Sequence, residues 1–252
     1  MINLNGKVAV VTGGSRGIGK ACVEYFVRAG ADVAFTFNTR EDRANELIES
    51  LLSYKKKVEA YKCAVEIESD VIATVKKIQN DFPGIDILVN NAGIWEFGEA
   101  EKMTLENWNR TMAINLTGTM LFTREVIPIM KKNSAGKIVI ITSTAGQRGE
   151  AFHSHYAASK GALISYVKSL STELAPFNIL VNSVAPGWVD TEMCDPVFNN
   201  KEYEEEVKLN IPLKKIAAPE DIAGPVLFLS SDLANHITGE ILNVNGGSVL
   251  CG

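Results

Sequence analysis

Tyr156 and Lys160 stand four residues apart in the stretch HSHYAASKGAL. On a helix such a pair lies on one face, one residue above the other. An ammonium held beside a phenol favours the phenolate, so the spacing predicts a tyrosine whose pKa falls from about 10 toward neutrality. A tyrosine tuned in this way donates and accepts protons at working pH. The ordinary meaning of such a pair is a solvated helix face; what adds weight is the opening of the chain. There Gly13, Gly17 and Gly19 lie in VAVVTGGSRGIGKA, after an apolar run and before a helical stretch. Glycines so placed permit a tight turn and close approach of backbone to a pyrophosphate, whose charge then meets a helix N-terminus. One segment suits a dinucleotide and the other a moving proton. Together they point to an oxidoreductase.

Such groups need a scaffold that carries residue 13 to residue 156. Short apolar runs at 7–12, 32–37, 57–62, 85–90, 137–142, 179–184 and 241–244 read as strands. Amphipathic stretches near 17–29, 41–54, 69–81, 104–131, 154–176 and 219–230 read as helices. Strands apolar on both faces and separated by helices imply an α/β fold with a parallel sheet covered on both sides. The seven runs form one doubly wound sheet, and no linker or repeat divides the chain, so 1–252 reads as a single domain. One less regular insertion at 188–218 has the character of a mobile lid or of a surface helical hairpin.

Composition narrows the function classes. With 46% hydrophobic and 22% charged residues, the 252-residue chain can bury a substantial core without staples. Its net charge of −5 and lack of a dense basic run argue against nucleic acid as the main partner. Cys22, Cys63, Cys194 and Cys251 are scattered without metal-ligand spacing, so no metal site is expected and the thiols fit a reducing cytoplasm. The start, MINLNGKVAVV, reads as a turn and a strand rather than a signal peptide, and no apolar run reaches bilayer-spanning length.

The end of the second strand bears on the choice of cofactor. An acidic residue about 20 residues beyond the glycine turn would take the adenosine ribose of NAD. Here the strand ends in Phe37-Asn38-Thr39-Arg40, with no carboxylate to repel a 2′-phosphate. Arg40 and Arg16 are suited to binding one, so NADP(H) is favoured over NAD(H). Arg40 as the first-turn charge of a solvated helix is the competing reading.

The chain resembles the short-chain dehydrogenases/reductases over essentially its whole length. The resemblance rests on TGGSRGIG from Thr12, Asn90-Asn91-Ala92-Gly93, Asn115 in MAINLTG, Ser143 in IITSTAG, Tyr156 to Lys160 in YAASK, and Pro186-Gly187 before Thr191. It implies a Rossmann-type sheet and four catalytic residues. Ser143 would hold the substrate carbonyl, Tyr156 would deliver its proton, Lys160 would lower the tyrosine pKa and hold the nicotinamide ribose, and Asn115 would anchor a proton-relaying water. The cofactor would lie along Gly13, Ser15, Arg16, Gly17, Ile18 and Gly19, then Asn38, Thr39 and Arg40, and beside Asn91, Ala92 and Gly93. Tyr156, Lys160, Pro186, Gly187, Val189 and Thr191 would take its nicotinamide end. The C-terminal GEILNVNGG looks nearest to reductases of 3-oxoacyl carrier-protein thioesters, so an NADPH-dependent reduction of a ketone or 3-oxoacyl thioester is the expected activity.

The resemblance is not complete. Ala64 stands where family members commonly carry an aspartate toward the adenine. Pro128 and Thr172 stand where carrier-protein reductases tend to present basic residues, which weakens steering of an acidic carrier. His153 and His155, before the tyrosine, read as the start of a helix rather than as substrate contacts. The rivals are an NAD(P)-dependent dehydrogenase of a sugar, polyol or cyclic alcohol and, outside the enzymes, a dinucleotide-sensing protein. The long helices at 104–131 and 154–176, with Ile114, Leu121, Leu163 and Leu170 at helical spacing, match the family's subunit interfaces, and a cytoplasmic homotetramer is the expectation that follows.

Overall fold

The computed structural model describes residues 2–250; Cys251 lies outside them. Seven strands, β1 (Val8–Val11), β2 (Asp32–Phe37), β3 (Val58–Lys62), β4 (Ile87–Asn90), β5 (Gly136–Ile141), β6 (Ile179–Pro186) and β7 (Ile241–Val244), form one sheet. Their order is β3-β2-β1-β4-β5-β6-β7 and every pairing is parallel. The expected doubly wound sheet is therefore present. Its order reverses between β1 and β4, and in such sheets ligands bind outside the carboxyl ends of the strands at that crevice.

The strands are apolar throughout because both faces are covered. Ala9 and Val11 point into a layer shared with α1 (Gly17–Arg28), α2 (Glu41–Leu51) and α10 (Pro219–Leu229). Val8 and Val10 point the other way, toward α3 (Glu68–Asp81), α5 (Gly118–Asn133) and α7 (Ser154–Leu174). Each fully buried Val, Leu or Ile contributes about 1.5–3 kcal/mol, so this double core fixes the strand ends that carry the site.

The structure departs from the sequence reading in two places, and in a third, 188–218, it has the helices that one of the two readings offered. The expected helix over 104–131 is divided into α4 (Leu105–Met112), a wide π-type turn at Ala113–Thr117, and α5. A short helix, α6 (Thr144–Arg148), follows β5 where no helix is expected. The irregular 188–218 segment holds α8 (Asp195–Phe198) and α9 (Lys201–Asn210), which close over a small core of Phe198, Val207 and Ile211. Elsewhere the differences are element ends, as at 52–54, where a 3-10 turn finishes α2.

Candidate active site

Thr12, at the end of β1, organises the crevice. Its hydroxyl accepts hydrogen bonds from the backbone of Asn91 (2.9 Å) and Ala92 (3.0 Å), tying the loop after β4 to the glycine turn. Asn91 returns its side-chain amide to the carbonyls of Thr12 and Gly13 at 3.0 and 3.1 Å. Gly13 has φ of +64°, and a Cβ there would lie 3.0 Å from the Cα of Ala92. The turn must therefore be glycine at that position on both conformational and steric grounds. Gly13 and Gly14 also donate to Thr36 of β2, at 3.1 and 2.8 Å.

This turn fits a dinucleotide. A side chain at Gly19 would strike the carbonyl of Gly13, so the start of α1 presents bare backbone, and a helix N-terminus of that kind favours an anion. Thr191 lies across it, its methyl 3.3 Å from where a Cβ on Gly17 would be. Pro186 and Gly187 end β6 and begin the strap that carries Val189 and Thr191 there, with Gly187 donating to Val244 at 3.1 Å. Ser15 is buried in the turn and Ile18 packs against the core. Asn38 and Thr39 are exposed beyond β2, beside Arg40. Arg16 and Arg40 both reach one carboxylate, that of Glu192, at 2.9 and 4.0 Å; Arg40 also grips Asp42 with two bonds. The expected arginine pair thus converges on an anion.

Across the crevice the expected catalytic residues lie together. Asn115 sits in the π-type turn, fully buried, a place where such turns are often functional. Its side chain accepts from the Ile94 backbone at 2.8 Å and donates to the Ile94 carbonyl and Ser159 hydroxyl at 3.0 and 3.1 Å. It clamps the loop after Gly93, where a Cβ would meet Asn115 Oδ1 at 3.2 Å and Lys160 Nζ at 3.7 Å. Ser143 caps α6, accepting from the Ala145 backbone at 3.0 Å. Because that bond uses an oxygen lone pair, the hydroxyl hydrogen remains free to donate.

Tyr156 and Lys160 share a face of α7, as their spacing predicts, but the expected electrostatics are reversed. Lys160 is buried, its Nζ donating to the Ile141 carbonyl at 2.7 Å and lying 5.8 Å from the centre of the Tyr156 ring. Burial pushes its pKa down to about 8. Burial also pushes the Tyr156 phenol above its ordinary value; hydrogen bonding with Ser143 opposes this, and the charge of Glu150 adds to it. The prediction of a lowered phenol is therefore corrected. Desolvation disfavours the charged form of each partner more than an ammonium engaged with a carbonyl offsets. Consequently the chain alone holds its proton on the tyrosine.

The loops around this floor were not legible in the sequence. His153 is the N-cap residue of α7, as expected, but its ring makes no capping bond; it stacks on Trp95, with ring centres 4.1 Å apart and planes at 6°. Trp188 meets Trp95 edge-on at 5.8 Å. His155 is fully enclosed, and neither ring nitrogen has a partner among the described residues. Reading the two histidines merely as a helix start is thus incomplete. No His, Cys, Asp and Glu cluster suited to a metal occurs among the described residues, and no described helix is long and apolar enough to cross a membrane.

A parallel sheet with a glycine turn at its switch point, facing a buried serine and lysine and a half-buried tyrosine, defines a dinucleotide-dependent oxidoreductase class. Comparison with known proteins gives the family. A family model described as enoyl-(acyl carrier protein) reductase matches residues 13–248. The 3-oxoacyl-[acyl-carrier-protein] reductase FabG of Aquifex aeolicus is 41% identical over 247 residues, covering 98% of both chains. The acetoacetyl-CoA reductase of Shinella zoogloeoides is 37% identical, covering 96% of this chain and 98% of that one. Among solved structures, the crystal structure of gox2181 superposes with a TM-score of 0.94 at 32% identity, covering 98% of this chain and 96% of the other. The chain belongs to the short-chain dehydrogenase/reductase family.

Proposed function

We propose that this protein reduces a ketone, with a 3-oxoacyl thioester as its substrate class and NADPH as the favoured cofactor. The observation that carries the reading is the convergence of two neutral hydroxyl donors, Ser143 and Tyr156, beside the buried Lys160. A pair of donors on one point suits an oxygen that gains negative charge. The names of the relatives, reductases of 3-oxoacyl and acetoacetyl thioesters, support the same class.

In this reading Ser143 donates to the substrate carbonyl oxygen and holds it against the phenol. Tyr156, protonated at rest, delivers its proton to that oxygen. Lys160, with a pKa near 8, stabilises the phenolate that remains and passes a proton back to it. Asn115 keeps the Ile94 loop closed near Lys160 and, by the family resemblance, would anchor the water that relays protons to it. The nicotinamide cofactor, when bound, supplies the hydride to the carbonyl carbon.

The cofactor residues named from the sequence form the binding surface in this proposal: Gly13 to Gly19, Asn38 to Arg40, Asn91 to Gly93, and Pro186 to Thr191. Preference for NADP(H) is supported by the convergence of Arg16 and Arg40 on one carboxylate, an anion of the kind that a 2′-phosphate would replace. We read the chain as one domain, with 188–218 as its substrate-side insertion, assembling as a homotetramer that accepts a carrier- or coenzyme-borne acyl group. Light scattering that returned a monomer mass would remove the last element. The activity is tested by following NADPH and NADH oxidation with an acetoacetyl thioester, using the native protein and Tyr156→Phe. Turnover with NADPH that disappears in the variant is expected. NADPH binding without turnover on any 3-oxoacyl thioester would overturn the substrate class.

A further inference from the structure

A chain of aromatic rings ends at His153, at the start of the helix that carries Tyr156. Phe198 of α8 meets Trp188 at 5.7 Å, Trp188 meets Trp95 edge-on, and Trp95 stacks on His153. Three separate loops contribute, and the backbone holds them together. Gly98 pairs with His153, and its N–H donates to the Phe152 carbonyl at 2.7 Å. Phe152 takes φ of +62° to do so, a left-handed conformation that is unusual and strained for a bulky side chain. Such strain persists only where the surroundings determine it.

Glu150 lies within this arrangement. Its side chain is 19% exposed. One carboxylate oxygen, Oε1, accepts the indole N–H of Trp95 at 3.2 Å and lies 3.7 Å from His153 Nδ1. The His153 nitrogen is itself 3.0 Å from the Ala151 carbonyl. The other oxygen, Oε2, takes no hydrogen bond from any described residue. Burial raises the Glu150 pKa, His153 and the Trp95 bond oppose the rise, and the carboxylate is close enough to Tyr156 to raise the phenol in turn. Among the described residues the carboxylate has no salt bridge to an arginine or lysine, and Arg148, the one such cation among them that influences it, is exposed. A carboxylate accepts and never donates when ionised. Aromatic faces beside it favour an apolar stem.

We propose that Glu150, held by Trp95 beside Trp188, is a specificity-determining residue that accepts a hydrogen bond from a neutral donor group on the substrate, a few bonds from its carbonyl. The inference rests on the ketone-reducing reading above and deepens it. Two substrate chemistries supply such a donor: the first amide N–H of a pantetheine-like thioester arm, and a hydroxyl on a hydroxyketone. An anionic group at the same position would meet the carboxylate and be disfavoured.

The test compares substrates that differ in the donor alone. One pair is the acetoacetyl thioester of N-acetylcysteamine and its analogue with an ester oxygen in place of the amide N–H. The other is 1-hydroxybutan-2-one and pentan-3-one, in which a methyl replaces the hydroxyl. A hydrogen bond to an ionised acceptor predicts that kcat/KM favours the donor-bearing member of one pair by about tenfold or more. In Glu150→Leu that ratio falls toward one. Glu150→Gln, which keeps a neutral acceptor and the Trp95 bond, should fall between and serves if the leucine variant does not fold. Discrimination confined to the thioester pair supports the subsite and the thioester reading together. Discrimination confined to the hydroxyketone pair, with the same dependence on Glu150, supports the subsite and overturns the thioester reading. Thioester turnover with no donor preference in the native enzyme, or with a preference unchanged in both variants, overturns the subsite and leaves the thioester reading standing.

Discussion

The proposed catalytic floor and the arginine rim of the crevice are built on opposite electrostatic terms. Asn115, Ser143 and Lys160 are buried, and Lys160 and Asn115 are fixed by bonds from distant parts of the chain. Arg16, Arg40 and Glu192 are exposed by about a third to a half of their side-chain surface; Arg16 bonds Glu192, while Arg40 bonds Asp42 and only approaches Glu192. In the floor, loss of water sets the protonation states, as the shifts of Tyr156 and Lys160 show. At the rim, water screens each charge, and one anion exchanges readily for another. Substitutions in the floor should therefore be severe and sensitive to pH, whereas those at the rim should be mild and sensitive to salt.

The largest expected effect is at the tyrosine. Tyr156→Phe removes the only phenol in the floor and should lower kcat by about 10²–10⁴-fold, the range of a single general acid. Steady-state NADPH oxidation measures it. A loss below tenfold would mean that the proton reaches the oxygen from elsewhere, and the floor would lose its defining group.

Lys160→Met separates stability from activity. The folded lysine releases its proton near pH 8, the unfolded one near 10.5. Below pH 8 both states are protonated and the burial penalty is fully present, about 3 kcal/mol. Between 8 and 10.5 the unfolded chain binds more protons, so native stability rises with pH. Losing the bond to the Ile141 carbonyl costs about 1 kcal/mol, which leaves the variant roughly 2 kcal/mol more stable at pH 7, though poorly active. Urea titrations at pH 7 and 10 should show that advantage shrinking. An advantage independent of pH would show that desolvation of the ammonium is not its cause.

The two regions also differ in how much of them the sequence carried. Apolar runs without alternation announced the buried parallel strands, and the spacing of Tyr156 and Lys160 announced their shared face. Both signals are local, set by backbone periodicity. The direction of the tyrosine shift was not local: it depends on how deeply α7 is covered and on where Lys160 turns. Thr12 was readable only as part of a motif, since its bonds cross to Asn91 and Ala92 on another strand's loop. The π-type turn at Ala113–Thr117 leaves no mark in an amphipathic pattern, because it inserts one residue without changing residue type. Trp95, Glu150, His153 and Trp188 belong to three loops whose meeting no periodicity encodes.

At the rim, Arg16→Ala and Arg40→Ala should each weaken NADPH about tenfold, one charge-assisted hydrogen bond to a phosphate, while NADH changes little. The ratio of the two affinities, from fluorescence titration, isolates the 2′-phosphate from the rest of the cofactor. An unchanged ratio in both variants would assign the two arginines to the surface and remove the basis for NADP preference.

The smallest effect is also the sharpest test of exchange at the rim. Glu192 sits where Arg16 and Arg40 meet, on the strap that places Thr191 over Gly17. If a 2′-phosphate takes that place, it must first displace this carboxylate. The pair is exposed, so the competition is worth at most about 1 kcal/mol, or up to about fivefold in affinity. Glu192→Gln should therefore tighten NADPH by two- to fivefold at low salt and leave NADH unaffected. Raising the ionic strength should erase the gain, because added ions screen the native carboxylate as effectively as the substitution removes it. The opposite sign, weaker NADPH in Glu192→Gln, would mean that the carboxylate positions the arginines rather than competing for them. The rim would then be preorganised by its own internal anion, and its contrast with the buried floor would narrow.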